Sequence, residues 1–166
     1  MMRYHMRRSD KEITDPETLK KILKTAQYVT IAMSMDGRPY LVSLSHGYDE
    51  SRNCIYFHCA KEGKKLDYLR SNNSVWGQAV LDHGYSQAED PCESNYLFAS
   101  VHFSGKVTFI EEPEEKRHAF ECLIRQLNNS PQPLMARLAS DGIVKTFIGR
   151  IDIDFMTGKK SEEVTI

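Results

Sequence analysis

The sequence predicts a mainly β, α+β domain: an antiparallel sheet closing toward a barrel, with helices on its flanks. Three observations carry this prediction. Segments rich in β-branched and aromatic residues recur, separated by turn residues. No regular strand–helix–strand alternation occurs, which argues against a Rossmann or TIM layout. One segment, Asn95 to Ile110, is long enough that an antiparallel sheet containing it gains by closing, because closure removes exposed edges.

Residues 1–12 read as a solvated arm, with Arg3 to Arg8 basic and Asp10 and Glu12 close behind. The first helix is marked by Thr14 and Glu17 at capping-box spacing and by Asp15-Pro16. Leu19, Ile22, Leu23 and Ala26 make its apolar face. Tyr28 to Met35 is a strand that turns at Asp36-Gly37, and Tyr40 to Tyr48 returns from it. Cys54 to Cys59 is a third strand, followed by a short helix from about Gly63 to Asn72. Ser74 to Asp82 is a fourth strand, His83 to Pro91 a loop and Asn95 to Ile110 the fifth strand. Gly105 marks a bend or bulge within that last strand. Pro113 to Leu127 is the clearest helix, with Glu114 and Glu115 in its first turn and Phe120, Leu123, Ile124 and Leu127 as its buried stripe. One helical turn follows Pro131 and Pro133. Ile143 to Phe155 is the last strand, alternating Ile151, Ile153 and Phe155 with Asp152 and Asp154.

The chain of 166 residues fits a single domain spanning 1–166. Its net charge of −1 supplies no global field for nucleic acid or an anionic membrane. No apolar run reaches the ~18 residues of a membrane helix, and the first ten residues lack the apolar core of a signal peptide. A cytoplasmic protein with four reduced cysteines is expected. Cys54, Cys59, Cys92 and Cys122 contain no CxxC pair, and Cys54 and Cys59 point to opposite strand faces, so no metal site is expected. Trp76 suits a core position.

The chemistry concentrates between Ile55 and Leu69. Lys64 and Lys65 open a helix, where the positive end of the dipole disfavours them. An anion bound there reverses that sign, since helix-start amides suit a phosphate and Gly63 permits close backbone approach. The alternative is two solvated lysines at a cost of a few tenths of a kcal/mol. No Walker loop, GxGxxG, GxSxG or HExxH occurs. The six histidines form no catalytic spacing.

At these residues the chain resembles the pyridoxamine 5′-phosphate oxidase-related, FMN-binding split-barrel family, and most closely its nitroimidazole-reductase-type branch. The resemblance runs from about Met6 to Lys159. It is carried by Met6-Arg7-Arg8, Lys11-Glu12-Ile13, Gly37-Arg38-Pro39-Tyr40, Gly47-Tyr48-Asp49 and, above all, Ile55-Tyr56-Phe57-His58-Cys59-Ala60 followed by Glu62-Gly63-Lys64-Lys65-Leu66-Asp67. Ser100-Val101, Gly105-Lys106, Glu115-Lys116 and Thr157-Gly158-Lys159 follow in order.

The resemblance implies a six-stranded split barrel, a homodimer, and FMN held at the interface. It places Gly63, Lys64 and Lys65 at the FMN phosphate, Ser43, Leu44 and Ser45 along the isoalloxazine ring, and His58, Ala60 and Ser100 beside the cofactor. It implies an oxidoreductase that reduces a small acceptor such as a nitroaromatic. The chain departs from the branch at Ser43-Leu44-Ser45-His46, where Pro-Val-Asn-Phe is usual. It also lacks the arginine-containing C-terminal motif of the vitamin B6 oxidases, so pyridoxamine phosphate is not the implied substrate. A haem-binding or haem-degrading split barrel, with His5, His46, His58 or His102 as axial ligand, and a non-catalytic flavin-binding protein are the competing expectations.

Overall fold

The antiparallel register of one long strand organises the molecule. The computed structural model describes residues 6–138, 142–143 and 146–166. Within these, β1 (Glu12–Ile13), α1 (Pro16–Thr25), β2 (Val29–Met35), β3 (Arg38–Leu44), β4 (Gly47–Asp49), β5 (Cys54–Cys59), α2 (Lys64–Ser71), β6 (Ser74–Ser86), β7 (Asn95–Ile110), α3 (Pro113–Leu127), α4 (Gln132–Met135) and β8 (Phe147–Lys160) follow in order. The strands form an antiparallel sheet in the order β3-β2-β6-β7-β8-β5-β4, with β1 on β8. This is the expected split barrel, with two short strands, β1 and β4, added to the six longer ones.

β7 pairs with β6 along one side and β8 along the other. Its register on β8 shifts between Ser104 and Gly105, which places the expected irregularity at Gly105. The main core lies inside the curved sheet under α1, where Ile22, Leu23, Val29, Ile31, Phe57, Val101, Phe103 and Ile151 are fully enclosed. A second cluster, of Cys54, Tyr56, Ile110, Ala119, Cys122 and Ile148, lies beneath α3 on the opposite face of β5. Both faces of β5 are therefore covered, which accounts for its run of buried residues.

Two cross-strand pairs set how tightly the layers close. Gly77 stands opposite Phe103, and Gly149 opposite Phe57. A Cβ at either glycine would overlap its partner's ring, so each ring lies flat across the neighbouring backbone.

Several sequence expectations are corrected. Asp15, not Thr14, caps α1: its carboxylate accepts from the Thr18 amide at 2.9 Å, with Pro16 in the first turn. The second strand of the first hairpin divides into β3 and β4, because the His46 side chain turns inward to the Leu23 carbonyl at 3.0 Å. β6 continues through the expected loop to Ser86, across an irregularity between Asp82 and Tyr85. β8 begins at Phe147 rather than at Ile143, which is helical, and runs past Phe155 to Lys160, held by β7 and β1; Val144 and Lys145 of the predicted strand lie outside the described residues. Trp76 is 46% exposed on the outer face rather than in the core. No described helix is long and apolar enough to cross a membrane.

Gly149→Ala should cost about 1–3 kcal/mol, the range for forcing one extra methyl into a packed site. Chemical denaturation of the variant checks this, and unchanged stability would show that the Phe57 ring can move aside. His46 supplies a second expectation. Burial lowers its pKa, opposed by its bond to Leu23, and Nδ1 has no hydrogen-bond partner among the described residues. A depressed imidazole pKa contributes stability that is complete above the ordinary value of 6.5 and is lost as pH falls below it. In melting curves across that range, His46→Gln should keep the bond to Leu23 and show a shallower loss of Tm than the parent protein.

Candidate functional site

The start of α2 combines backbone geometry with positive charge. Gly63 precedes it at φ +131°, a left-handed value that side chains resist, and the space around its α-carbon is open. Among the described residues no side chain caps this helix. The first intrahelical bonds run from the Leu66 and Asp67 amides to the Gly63 carbonyl, at 2.8 and 3.4 Å. The amides of Lys64 and Lys65 come before them, in the position from which helix starts offer donors to an anion.

Neither lysine is simply solvated. Lys64 Nζ stands 4.6 Å from the centre of the Tyr40 ring and 5.7 Å from that of Tyr68, and the two rings are 5.2 Å apart. Lys65 lies half-buried with Nζ 5.5 Å from the centre of the Phe57 ring. Burial pushes the Lys65 ammonium down, and the neighbouring Cys59 opposes this. The aromatic faces hold both side chains at the helix start. Because Tyr40 belongs to β3 and Phe57 to β5, α2 bridges the two sides of the split. Lys64 lines a cleft of about 490 Å³ with Met35, Asp36, Arg38, Asp67 and Tyr68.

The sheet register assembles a second surface that is scattered in sequence. Residues directly opposite on paired strands share a face. One row across the outer face reads Leu41, Ala32, Trp76, Ser104, Phe155; the next reads Ser43, Thr30, Gln78, His102, Thr157; a third reads Val80, Ser100, Lys159. Ser43 and Thr30 hydroxyls are 2.9 Å apart, and Gln78 Nε2 is 3.2 Å from His102 Nε2. Burial lowers the His102 imidazole pKa, and the Lys159 charge adds to this. Arg7, Arg8 and Lys159 converge here with Gln78, Ser100 and His102 around a cleft of about 390 Å³. Sequence reasoning did not single out Thr30, Gln78 or His102 as a group. Only the pairing of β2, β6 and β7 brings them together.

The nine residues expected at the cofactor divide between these places. Gly63, Lys64 and Lys65 form the start of α2, with His58 and Ala60 exposed at the end of β5 just before it. Ser43 and Ser45 are exposed at the end of β3 and beyond, while the Leu44 side chain points into the core and leaves only its backbone available. Ser100 is buried in the other cleft, its hydroxyl donating to the Lys159 carbonyl at 3.3 Å. Of the histidines offered as haem ligands, His46 is enclosed and committed to Leu23, His102 pairs with Gln78, His58 is exposed, and His5 lies outside the described residues.

The pattern of one family, pyridoxamine 5′-phosphate oxidase, matches residues 15–160. The chain belongs to this family. The family is one of flavin-binding split barrels, and the sheet order above places the chain within that architecture. Among solved structures, a putative 5-nitroimidazole antibiotic resistance protein from Bacteroides thetaiotaomicron is similar at 28% identity and a TM-score of 0.75, over 89% of this chain and 85% of that one. The flavocytochrome Anf3 from Azotobacter vinelandii superposes with a TM-score of 0.80 at 18% identity, over 98% and 75% of the two chains. The FAD and haem binding protein from Mycobacterium smegmatis superposes with a TM-score of 0.80 at 20% identity, over 94% and 76%. Among curated protein sequences none matches the chain. The last two structures share the fold with this member of the oxidase family, while the first shares more of its sequence.

Proposed function

We propose that this member of the pyridoxamine 5′-phosphate oxidase family binds FMN between two copies of the chain and reduces a small acceptor such as a nitroaromatic. The observation that carries the reading is the uncapped start of α2, where Gly63 opens the backbone and aromatic rings hold Lys64 and Lys65 beside it. That arrangement suits a phosphate monoester, which accepts charge-assisted hydrogen bonds from amides and ammonium groups. The likeness to the 5-nitroimidazole resistance protein supports the acceptor class.

In this reading Gly63, Lys64 and Lys65 take the phosphate. Tyr40 and Ser43 lie about 10 Å apart along β3, a span over which the flavin can reach the exposed hydroxyls of Ser43 and Ser45. His58 and Ala60 border it from the end of β5. Bound flavin supplies the electron-transfer chemistry, while the protein positions it and tunes its surroundings. The outer sheet face, exposing Leu41, Trp76 and Val80 beside the cleft of Arg7, Arg8 and Ser100, supplies the surface for the second copy. A half-site on each copy accounts for the separation of Ser100 from Lys64. Reduced cysteines suit a cytoplasmic setting, and all four are free.

The visible spectrum of the purified protein should show flavin bands, and reconstitution should favour FMN over riboflavin, which lacks the phosphate. Lys64→Ala and Lys65→Ala should each weaken FMN about tenfold, the scale of one charge-assisted hydrogen bond, and leave riboflavin binding unchanged. Equal affinity of the double variant for FMN would remove the phosphate assignment, and a Soret band in place of the flavin bands would redirect the reading to haem. Sedimentation should report a dimer that carries the flavin; a flavin-loaded monomer would overturn the shared site.

A further inference from the structure

On the opposite side of β5 from α2, three donor atoms converge beneath α3. His118 Nε2 lies 2.6 Å from Asp49 Oδ2, Cys122 Sγ lies 3.6 Å from the same His118 Nε2, and the three donor atoms fall within 4.8 Å of one another. His118 and Cys122 are one turn apart on α3, so their side chains share a face. Asp49 ends β4 and is brought to them by the packing of that strand on the helix. We propose that Asp49, His118 and Cys122 form a transition-metal site, matched best by Zn²⁺.

The donor set selects the class of ion. Calcium and magnesium take oxygen ligands, whereas a carboxylate, an imidazole and a thiolate together suit zinc. Zinc bond lengths in tetrahedral geometry place a nitrogen and a sulfur ligand about 3.6 Å apart, the spacing already present between His118 and Cys122. A nitrogen and an oxygen ligand stand about 3.3 Å apart, so Asp49 and His118 separate slightly and exchange their direct hydrogen bond for the ion. Three protein ligands beside a cleft of about 390 Å³ leave a position for water, the pattern of an open zinc site.

The surroundings orient the ligands. Asp49 Oδ1 accepts from the Ser51 amide at 3.0 Å, the Ser51 hydroxyl at 2.7 Å and the Arg52 amide at 3.3 Å, leaving Oδ2 turned to His118. Hydrogen-bonded carboxylates of this kind are the usual support of a metal site. Arg52 Nε, 3.8 Å from Asp49 Oδ2, opposes a cation, but its guanidinium also reaches Tyr56 and Glu115. Binding displaces the Cys122 thiol proton to solvent and uses the His118 tautomer protonated on Nδ1.

A Cys–His–Asp nucleophilic relay is the other reading of these residues, and the geometry opposes it. A relay contacts opposite ring nitrogens, whereas Asp49 and Cys122 both meet Nε2.

The test titrates ZnCl₂ and CoCl₂ into the chelator-treated full chain. One zinc per chain is expected, with a thiolate-to-cobalt charge-transfer band in the cobalt form. Cys122→Ser should abolish that band, His118→Gln, which can still bond Asp49, should weaken zinc at least tenfold, and Cys92→Ser at the exposed thiol should change neither. Far-UV circular dichroism and the melting temperature establish that the variants are folded, and His118→Gln and Cys122→Ser should lose the zinc-dependent rise in Tm. Absence of binding, binding lost only in Cys92→Ser, or equal affinity in folded His118→Gln and parent proteins would overturn the proposal.

Discussion

The ladder of β7 with β6 and β8 is the constraint from which the remaining geometry follows. Side chains alternate along a strand, so a slip of one residue would exchange the core and outer faces of the whole sheet. The register found places Val101 and Phe103 inside and His102 and Ser104 outside. It thereby decides that Gln78 meets His102 and that Trp76 meets Phe155, whose rings stand 6.2 Å apart at 67°. The polar row from Ser43 to Thr157 exists only because this register is kept across five strands.

The two glycine–aromatic pairs serve the same register from inside. Phe103 over Gly77 and Phe57 over Gly149 are interlocks between adjacent strands: a ring fills the volume that a side chain would need. They tie β6 to β7 and β5 to β8, and β7 joins the two halves by pairing with β8. The sheet then curves around the core, and α2 crosses the split with Tyr68 against Tyr40. The lysines at the start of α2 are consequently mounted on the junction between the two sides of the barrel, where a ligand can touch both.

The charged groups are arranged with unequal exposure. Tyr56 donates to Glu115 at 3.1 Å, Arg150 pairs with the same carboxylate at 2.6 Å, and Arg150 also meets Asp152. This network fastens α3 to β5 and β8. Burial works against the Asp49 charge, yet hydrogen bonds from Ser51, His118 and Arg52 hold its carboxyl below the ordinary range. The face of β5 under α3 is thus polar and ionised at its rim, whereas the face toward α1 is apolar. One strand separates the candidate flavin site from the Asp49–His118–Cys122 cluster.

The elements legible in the sequence were those with strong local signals. α3, β5 and β7 occupy the predicted spans, but α3 buries Lys116, Ala119, Cys122 and Leu123 and leaves Leu127, expected in its buried stripe, 47% exposed, because β4 and β5 meet a different face of the helix. The dipole mismatch at Lys64 and Lys65 pointed to the start of α2 before any fold was in view. Boundaries set by partners were not legible. β8 extends to Lys160 because β1 and β7 supply hydrogen bonds there, and β3 ends at Leu44 because Leu23, two elements earlier, offers a carbonyl to His46. His118 and Cys122 could be seen at one-turn spacing, but nothing local ties them to Asp49. By itself the sequence determined the fold class and the charged helix start, since both arise from contacts between near neighbours in the chain. Only the tertiary structure decided which face Trp76 occupies, how Ser43 and Ser100 divide between two clefts, and that Asp49 reaches His118, because strand register and helix packing are long-range contacts with no local pattern to announce them.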